Sequence, residues 1–256
     1  ASLGYERGSS ISKAWKESVA KASIEAARQI YTDINVLAET NSKDKERNKK
    51  LKSFCLKFAT RAFARPLSPT QKNHYIEDIF DADNDSETAT RRSLMLILTS
   101  PYFLYPSLNR GDDGKPDDYT VAAHLALALW DSVPDKELWE AANQKRLGKE
   151  AEITNQLSRM MSDSRTKAKT RSFFYHWLNL SEKEDLGKDP KLFPNFDQRM
   201  IADLRTSFDL FIENVIWSPS SDYRKLFTEN KIYLNKRLAN FYSAPTPQED
   251  SFKLLL

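Results

Sequence analysis

The sequence predicts an all-α fold, a multi-helix bundle of about ten helices in two packed subdomains. Three observations support this prediction. Glycine is scarce, with six residues among 256, although tight hairpins and phosphate-binding loops depend on it. Residues that favour helices, such as lysine, glutamate, alanine and leucine, are abundant. Apolar residues recur at steps of three and four, which is the spacing of one helix face.

Four helices are predicted before residue 100. The first can be capped by Ser10 or Ser12, and its apolar positions continue to Leu37. The segment Ser68-Pro69-Thr70-Gln71 combines a capping box with proline at the first helical position, so it predicts the start of the third helix. The second and fourth are expected from Leu51 to just before Pro66, and from Ser86 or Thr88 to Thr99.

A linker is predicted at Asn109–Asp118, which holds two glycines, one proline and four aspartates. It divides an N-terminal subdomain, 1–108, from a C-terminal subdomain, 119–243, and residues 244–256 form a tail. The helix at 120–130 is apolar on nearly all sides, which predicts a central position. Further helices are expected at 132–148, 150–161, 164–180, 198–217, 222–227 and 235–242, and no strand is predicted.

One shared core is expected in the C-terminal subdomain. The residues assigned to it are Leu125, Leu129, Trp130, Trp177, Leu204, Phe208 and Phe211. The chain then ends on the apolar hexapeptide Ser251–Leu256, preceded by a polar, proline-rich stretch. Because exposed contiguous apolar residues are normally covered, we expect this hexapeptide to dock on another chain or on a continuation of the polypeptide.

Composition excludes several classes of site. A net charge of +3 gives no strong global attraction to nucleic acid or to an anionic membrane. The longest apolar stretch, Val121–Trp130, is too short for a membrane span. The single cysteine, Cys55, excludes an intrachain disulfide, a cysteine-based metal cluster and covalent haem attachment, and its spacing from Phe54 and Phe58 predicts a small core residue.

Three histidines, His74, His124 and His176, have no metal-binding spacing. Each is expected to be a satisfied or surface histidine. If the chain held a cofactor, His124 and His176 would be the candidate pair, because one lies on the apolar helix and the other among aromatic residues. No catalytic residue is assigned.

A calcium loop is the one metal motif that the sequence approaches. Its candidate ligands are Asp81, Asp83 and Asp85, but Ser86 and Arg92 stand where the loop needs glycine and a bidentate glutamate. We therefore predict no metal site, and a polar loop that caps the next helix. The basic residues from Arg165 to Arg171 are spaced by two, which scatters them around a helix, so no nucleic-acid site is predicted.

Several short stretches together resemble the family of the domain of unknown function fifteen-ninety-two, preceded by its usual helical neighbour domain. The resemblance covers residues 51–242. It is carried by Phe58–Leu67, Ser100–Tyr105, Leu129–Asp135, Arg159–Met161, Phe173–Leu180, Leu192–Asp197, Tyr233–Asn235, Leu238–Ala239 and Tyr242.

This resemblance implies a piece of a large exported protein of planctomycete type, periplasmic or extracellular, often joined to cytochrome c modules. It implies no activity. Polar residues usual in the family are replaced here at Pro106, Leu108, His124, His176 and the Ser207–Phe208 pair, which argues against a shared buried polar site.

The sequence thus favours a non-catalytic helical structural or interaction domain of a larger exported protein or multi-subunit, cytochrome-associated assembly. Its partners would be other protein chains or downstream domains, with no cofactor in this chain and any haem on a neighbour. The alternative is an enzyme with a redox or hydrolytic site at the centre of the helix bundle. A concave pocket with convergent histidine, arginine or carboxylate groups would favour that alternative.

Overall fold

The computed structural model describes residues 11–83, 85–106, 110–111, 114–180, 187–189, 191–245, 247 and 251–255. Two compact units, Ala1–Met160 and Met161–Leu256, make up the chain. The linker predicted at Asn109–Asp118 lies within the first unit, and the domain limits 1–108 and 119–243 stay a prediction. None of the helices in the described ranges is both long and apolar enough to cross a bilayer.

Helices account for nearly all regular structure of the first unit, which confirms the all-α prediction. They are α1 Lys13–Thr32, α2 Ile34–Leu37, α3 Arg47–Ala62, α4 Pro69–Lys72, a π-helix Asn73–Glu77, α5 Asp78–Ala82, α6 Ser86–Leu98, α7 Pro101–Leu104, α8 Asp118–Trp130, α9 Lys136–Asn143 and α10 Glu150–Met161.

The second unit is also mainly helical and adds one small sheet. Its elements are α11 Ser164–Trp177, α12 Gln198–Ile216, α13 Lys225–Thr228, β1 Ile232–Leu234, α14 Lys236–Phe241 and β2 Lys253–Leu255. The strands are antiparallel, with Ile232 opposite Leu255 and Leu234 opposite Lys253. The expectation of no strand is therefore wrong.

Side-chain caps set most helix starts. Ser12 accepts a hydrogen bond from the Trp15 amide, and Ser68 and Gln71 form the predicted capping box. Aspartate caps several other helices: Asp85, in the polar loop expected to cap the next helix, precedes α6, and Asp117 precedes α8. An aspartate cap also places a negative charge at the positive end of the helix dipole.

Two apolar cores fill the first unit. The first joins α2, α3, the π-helix and α6 around fully buried residues of α3, Leu51, Cys55 and Ala59. The second joins α8, α9 and α10 around Trp130, Leu138 and Met160. The outer face of α8 stays exposed at His124 and Leu127, so the helix is not apolar and buried on all sides.

The core of the second unit is built around β1 and α14. Met200, Leu234, Leu238 and Ala239 are buried there. Phe252 and Leu255 pack against them from the end of the chain. The described part of the terminal hexapeptide thus finds a strand partner and an apolar surface within its own unit, and the expected docking of the tail 244–256 on another chain or on a continuation of the polypeptide stays a prediction.

Candidate functional site

The histidines lie on exposed surfaces. His74 contacts the ring of Tyr75 edge-on, with centroids 4.8 Å apart. His124 is exposed on α8 in the first unit, and His176 is exposed on α11 in the second. Nδ1 of His176 lies 2.8 Å from the Ser172 carbonyl oxygen, one helical turn earlier. This hydrogen bond lies within α11 and does not involve His124. It therefore gives no support to a two-histidine site formed by His124 and His176.

The three aspartates of the calcium hypothesis make separate interactions. Asp81 accepts a hydrogen bond from Lys52 at 3.1 Å, and Asp83 accepts one from Arg92 at 2.7 Å. Asp85 caps α6 through the amides of Glu87 and Thr88. Within the described ranges, no group of three or more histidine, cysteine, aspartate or glutamate side chains is placed to hold a metal ion.

Cys55 is a core residue, as its spacing predicts. It is fully buried in the first unit, and burial raises the pKa of its thiol to about 12. A thiol with so high a pKa holds almost no thiolate at neutral pH, and the thiolate is the nucleophilic form. Cys55 is therefore chemically inert in the folded protein.

An exposed aromatic patch is the most conspicuous surface feature of the second unit. We define it as Phe173 and Trp177 of α11 and Phe227 of α13, which are 59%, 52% and 65% exposed. The rings of Phe173 and Trp177 are stacked with centroids 6.2 Å apart, and Phe227 meets Trp177 edge-on at 5.8 Å. The ring of Trp177 thus contacts those of Phe173 and Phe227 while all three face solvent.

The register of α11 explains why these rings face outward. Asp163 caps the helix, and Thr166 and Phe174 are its buried residues. Phe173 and Trp177 are four residues apart and lie on the exposed side of the helix, whereas Phe174, three residues before Trp177, lies next to both rings on the buried side. The expectation that Trp177 belongs to the core is wrong, because Phe174 takes the buried position beside it.

A half-buried polar network joins α11 to α12. Arg171 donates a hydrogen bond to Glu213 at 2.9 Å, and its Nε lies 3.5 Å from Asp209. Burial raises the pKa of the Asp209 carboxyl, although the charge of Arg171 opposes the shift. Burial and the charge of Asp209 likewise raise the pKa of Tyr175. The network holds two helices together through groups that would otherwise cost free energy to bury.

The basic stretch before the aromatic residues is not a continuous cationic stripe. Arg165 donates to both carboxylate oxygens of Asp163, at 2.9 and 2.7 Å. Arg171 is bound by α12 as described above. The charges of these two arginines are therefore matched by carboxylates of their own unit.

Sequence reasoning identified the residues of the aromatic patch only in part. The spacing of Phe173 and Trp177 shows that they share a helix face, but not whether that face is buried. Phe227 joins the patch from a four-residue helix fifty positions later, and no local pattern connects it to α11. The sequence did hold one signal of an exposed aromatic residue. Aromatic residues stand at adjacent and at i,i+4 positions in α11, and one helix face cannot bury all of them.

Comparison with known proteins finds a family model that matches part of the chain. No curated protein and no solved structure matches the chain. One family model matches, and it spans slightly less than half of the 256 residues, including α8 to α14. The resemblance noted from the sequence is thereby supported for that part of the chain: residues 117–243 match the family described as PSD4, protein of unknown function (DUF1592).

Proposed function

We propose that this chain is a non-catalytic helical interaction domain of a larger protein or multi-subunit assembly, and that a partner chain covers the aromatic patch. The supporting observation is that Trp177 contacts both Phe173 and Phe227 while each of the three is more than half exposed. Burying such a side chain contributes about 1.5–3 kcal/mol. Protein interfaces concentrate their binding energy in clustered aromatic anchors of this kind.

The charges beside the patch favour an uncharged partner surface. On the segment that carries Phe227, Arg224 is paired with Asp222 at 2.7 Å, and Lys225 lies 3.9 Å from Glu229. Because these cations have carboxylates within their own unit, a partner need not supply counter-charges. We therefore propose an aliphatic or aromatic ridge of another protein as the surface that docks here.

The test is a comparison of native complexes. The chain, carrying an affinity tag, is purified from its own cells as wild type and as Phe173→Ser/Trp177→Ser. The stoichiometric partner is identified, purified and used for titration. We expect the double variant to bind that partner at least about 100-fold more weakly, since two anchors of about 1.5–2 kcal/mol each are lost.

Val36→Ser is the matched control, because Val36 is 79% exposed in the first unit and lies outside the aromatic patch. Its affinity should stay within twofold of wild type. The proposed role of the patch would be refuted if the double variant bound the partner as tightly as wild type. It would also be refuted if the wild-type chain sedimented alone at all concentrations in native extracts. Circular dichroism of each variant separates lost binding from lost folding.

We also propose that the domain acts outside the cytoplasm, in the periplasm or at the cell exterior, next to a cytochrome c module. This proposal rests on the resemblance to exported proteins. Haem staining of the purified native complex tests it, with cell fractionation alongside. A haem-free complex confined to the cytoplasm would contradict both parts of the proposal.

The alternative of an enzyme has one specific observation in its favour, the raised pKa of Asp209 beside Tyr175. We propose a structural role for this pair instead, because Arg171 and Glu213 tie the same network across two helices. Asp209→Asn should then lower stability and leave binding of the purified partner unchanged. A turnover reaction abolished by Asp209→Asn in a fully folded variant would favour the enzyme.

A further inference from the structure

Helix α3 is strongly cationic, and carboxylates of neighbouring segments pair with four of its cations, Arg47, Lys49, Lys50 and Lys52. Its sequence, from Arg47 to Ala62, contains six lysines or arginines and no acidic residue. The buried positions recur every four residues at Leu51, Cys55 and Ala59. Since these fix the inner face, the cations lie toward solvent and on the flanks of the helix.

Near its C-terminal end, α3 forms one wall of a groove with the start of α9. The groove has a volume of about 540 Å³. Leu56, Pro134 and Trp139 provide its apolar lining, and Lys57, Arg61 and Lys136 its charged groups. Trp139 is held in place by the ring of Tyr119, with centroids 5.3 Å apart. A rigid aromatic wall therefore lies beside three cations.

The one carboxylate of this groove, that of Asp135, is already engaged. It caps α9 through the Leu138 amide at 2.9 Å and accepts two hydrogen bonds from Arg159, at 2.6 and 3.1 Å. Among the described residues, no salt bridge involves Lys57 or Arg61. The groove thus offers cationic side chains whose counter-charge its own walls do not supply.

A second groove continues along the same face of α3. It has a volume of about 590 Å³, shares Leu56 with the first, and is lined by Lys45, Lys49, Lys52 and Lys72 together with Glu46 and Glu77. Lys49 is paired with Glu46, and Lys52 and Lys72 are both paired with Glu77, so this groove supplies most of its own counter-charge. Positions 49, 52, 56 and 60 of α3 follow helical steps of three and four, so both grooves border one stripe. At 1.5 Å per residue the 16 residues of α3 are about 24 Å long, which matches about seven residues of extended peptide.

From this arrangement we propose that the outer face of α3, together with Pro134, Lys136 and Trp139, binds a short acidic peptide segment of another protein, with one apolar side chain seated against Trp139 and Leu56. The aspartates and glutamates of the segment pair with Lys57 and Arg61. This surface belongs to the first unit and is distinct from the aromatic patch, so each proposal can fail without the other.

The apolar lining favours a peptide over a nucleic acid. A phosphate backbone is bound by many cations spread along an accessible surface. Here the cations border a groove with leucine, proline and tryptophan walls. The net charge of the whole chain is only +3, which gives little long-range attraction for a polyanion. Peptides that combine acidic and apolar residues match both features of the groove.

The test uses the full chain and arrays of fluorescent peptides of about eight residues, a length set by the groove. One array carries aspartate and glutamate around a leucine or phenylalanine. The second carries lysine at the same positions, and the third replaces the apolar anchor by serine. Fluorescence anisotropy is measured at low and high salt, with single-stranded DNA as a competitor.

We expect members of the first array to bind with micromolar affinity, and at least tenfold more weakly once the anchor is serine. Lys57→Glu/Arg61→Glu should weaken binding at least tenfold. Lys16→Glu/Lys21→Glu on exposed α1 makes the same change in net charge and should alter binding less than twofold. The proposal would be overturned if the acidic and basic arrays bound equally or neither bound. It would also be overturned if both double variants lost binding equally, or if the chain bound the single-stranded DNA in preference to the peptides.

Discussion

Nη2 of Arg65 lies 2.8 Å from Oδ1 of Asp117, the residue that caps α8. The same carboxylate oxygen accepts the backbone amide of Thr120 at 2.9 Å and its hydroxyl at 2.8 Å. Arg65 also donates to the Thr120 hydroxyl and to the backbone carbonyl of Arg110. One arginine just beyond α3 therefore fixes the start of a helix that follows some fifty residues later.

Replacing Arg65 should destabilise the first unit. We expect Arg65→Ala to lower the free energy of unfolding by about 1.5–3 kcal/mol, the range for hydrogen bonds to a charged group, because the side chain is only 14% exposed. Arg61→Ala removes an exposed cation one turn earlier and should cost less than about 0.5 kcal/mol. Urea unfolding of both variants checks this, and equal costs would contradict the structural role of Arg65.

Asp117 should make stability depend on pH in the acid range. Burial alone would raise the pKa of its carboxyl, but hydrogen bonds from Thr120 and the charge of Arg65 outweigh burial and lower it. The stabilisation is therefore present above the unfolded pKa, about 3.9, and is lost as pH falls through the folded pKa. Asp117→Asn keeps a capping side chain, so its unfolding free energy should vary less between about pH 4 and pH 2.

Truncation of Trp130 should cost much more unfolding free energy than truncation of Trp177. Trp130 is 5% exposed and donates its indole N–H to the Met160 carbonyl at 3.3 Å. Trp130→Ala should cost about 3–5 kcal/mol, as for other buried aromatic residues. Trp177 is 52% exposed, so Trp177→Ala should cost less than about 1 kcal/mol. Thermal or urea unfolding of the isolated chain distinguishes the two, and a larger cost at Trp177 would show that its ring is buried.

Cys55 should not react with thiol reagents in the folded protein. Burial both excludes the reagent and raises the pKa of the thiol to about 12. We expect less than stoichiometric labelling by an aromatic disulfide over hours at neutral pH, and one equivalent within minutes in denaturant. Rapid labelling without unfolding would show that the core around α3 opens readily.

The two leucines of β2 offer a matched test of the small sheet. Leu255 packs against the core of the second unit, whereas Leu254 is exposed on the other side of the strand. Leu255→Ser should cost about 1–2 kcal/mol, less than truncation of a fully buried leucine, and Leu254→Ser less than about 0.5 kcal/mol. Hydrogen exchange at Ile232–Leu234 should accelerate only in the first variant, and similar exchange in both would argue against the pairing.

Local patterns predicted much of the helical framework. The steps of three and four along α3 and α12, and the capping box at Ser68–Gln71, identify elements that the structure contains. Such signals lie within one element, because a helix needs only its own caps and one apolar face. They also predicted the buried position of Cys55, whose neighbours on α3 set its face.

Features that depend on distant segments were not predictable in this way. β2 forms because Lys253–Leu255 finds an edge at Ile232–Leu234, and a three-residue strand has no periodicity of its own. Whether Phe174 or Trp177 is buried depends on what α12 and α13 place beside α11. The groove beside Trp139 likewise needs α3 and α9 together, two segments about eighty residues apart in the chain.

The π-helix at Asn73–Glu77 holds one more residue than an α-helical turn would, between α4 and α5. Its wide turn is tied to α6, since Ser93 donates to the Tyr75 carbonyl at 2.7 Å, and to the cap of α7, since the Tyr75 hydroxyl meets that of Ser100 at the same distance. If the extra residue were wound into a regular α-helix instead, everything after it would rotate by about 100° relative to what precedes it, and Phe80 would leave the core. The wide turn takes up that residue within about one turn, so it keeps the start and the end of this helical segment in phase.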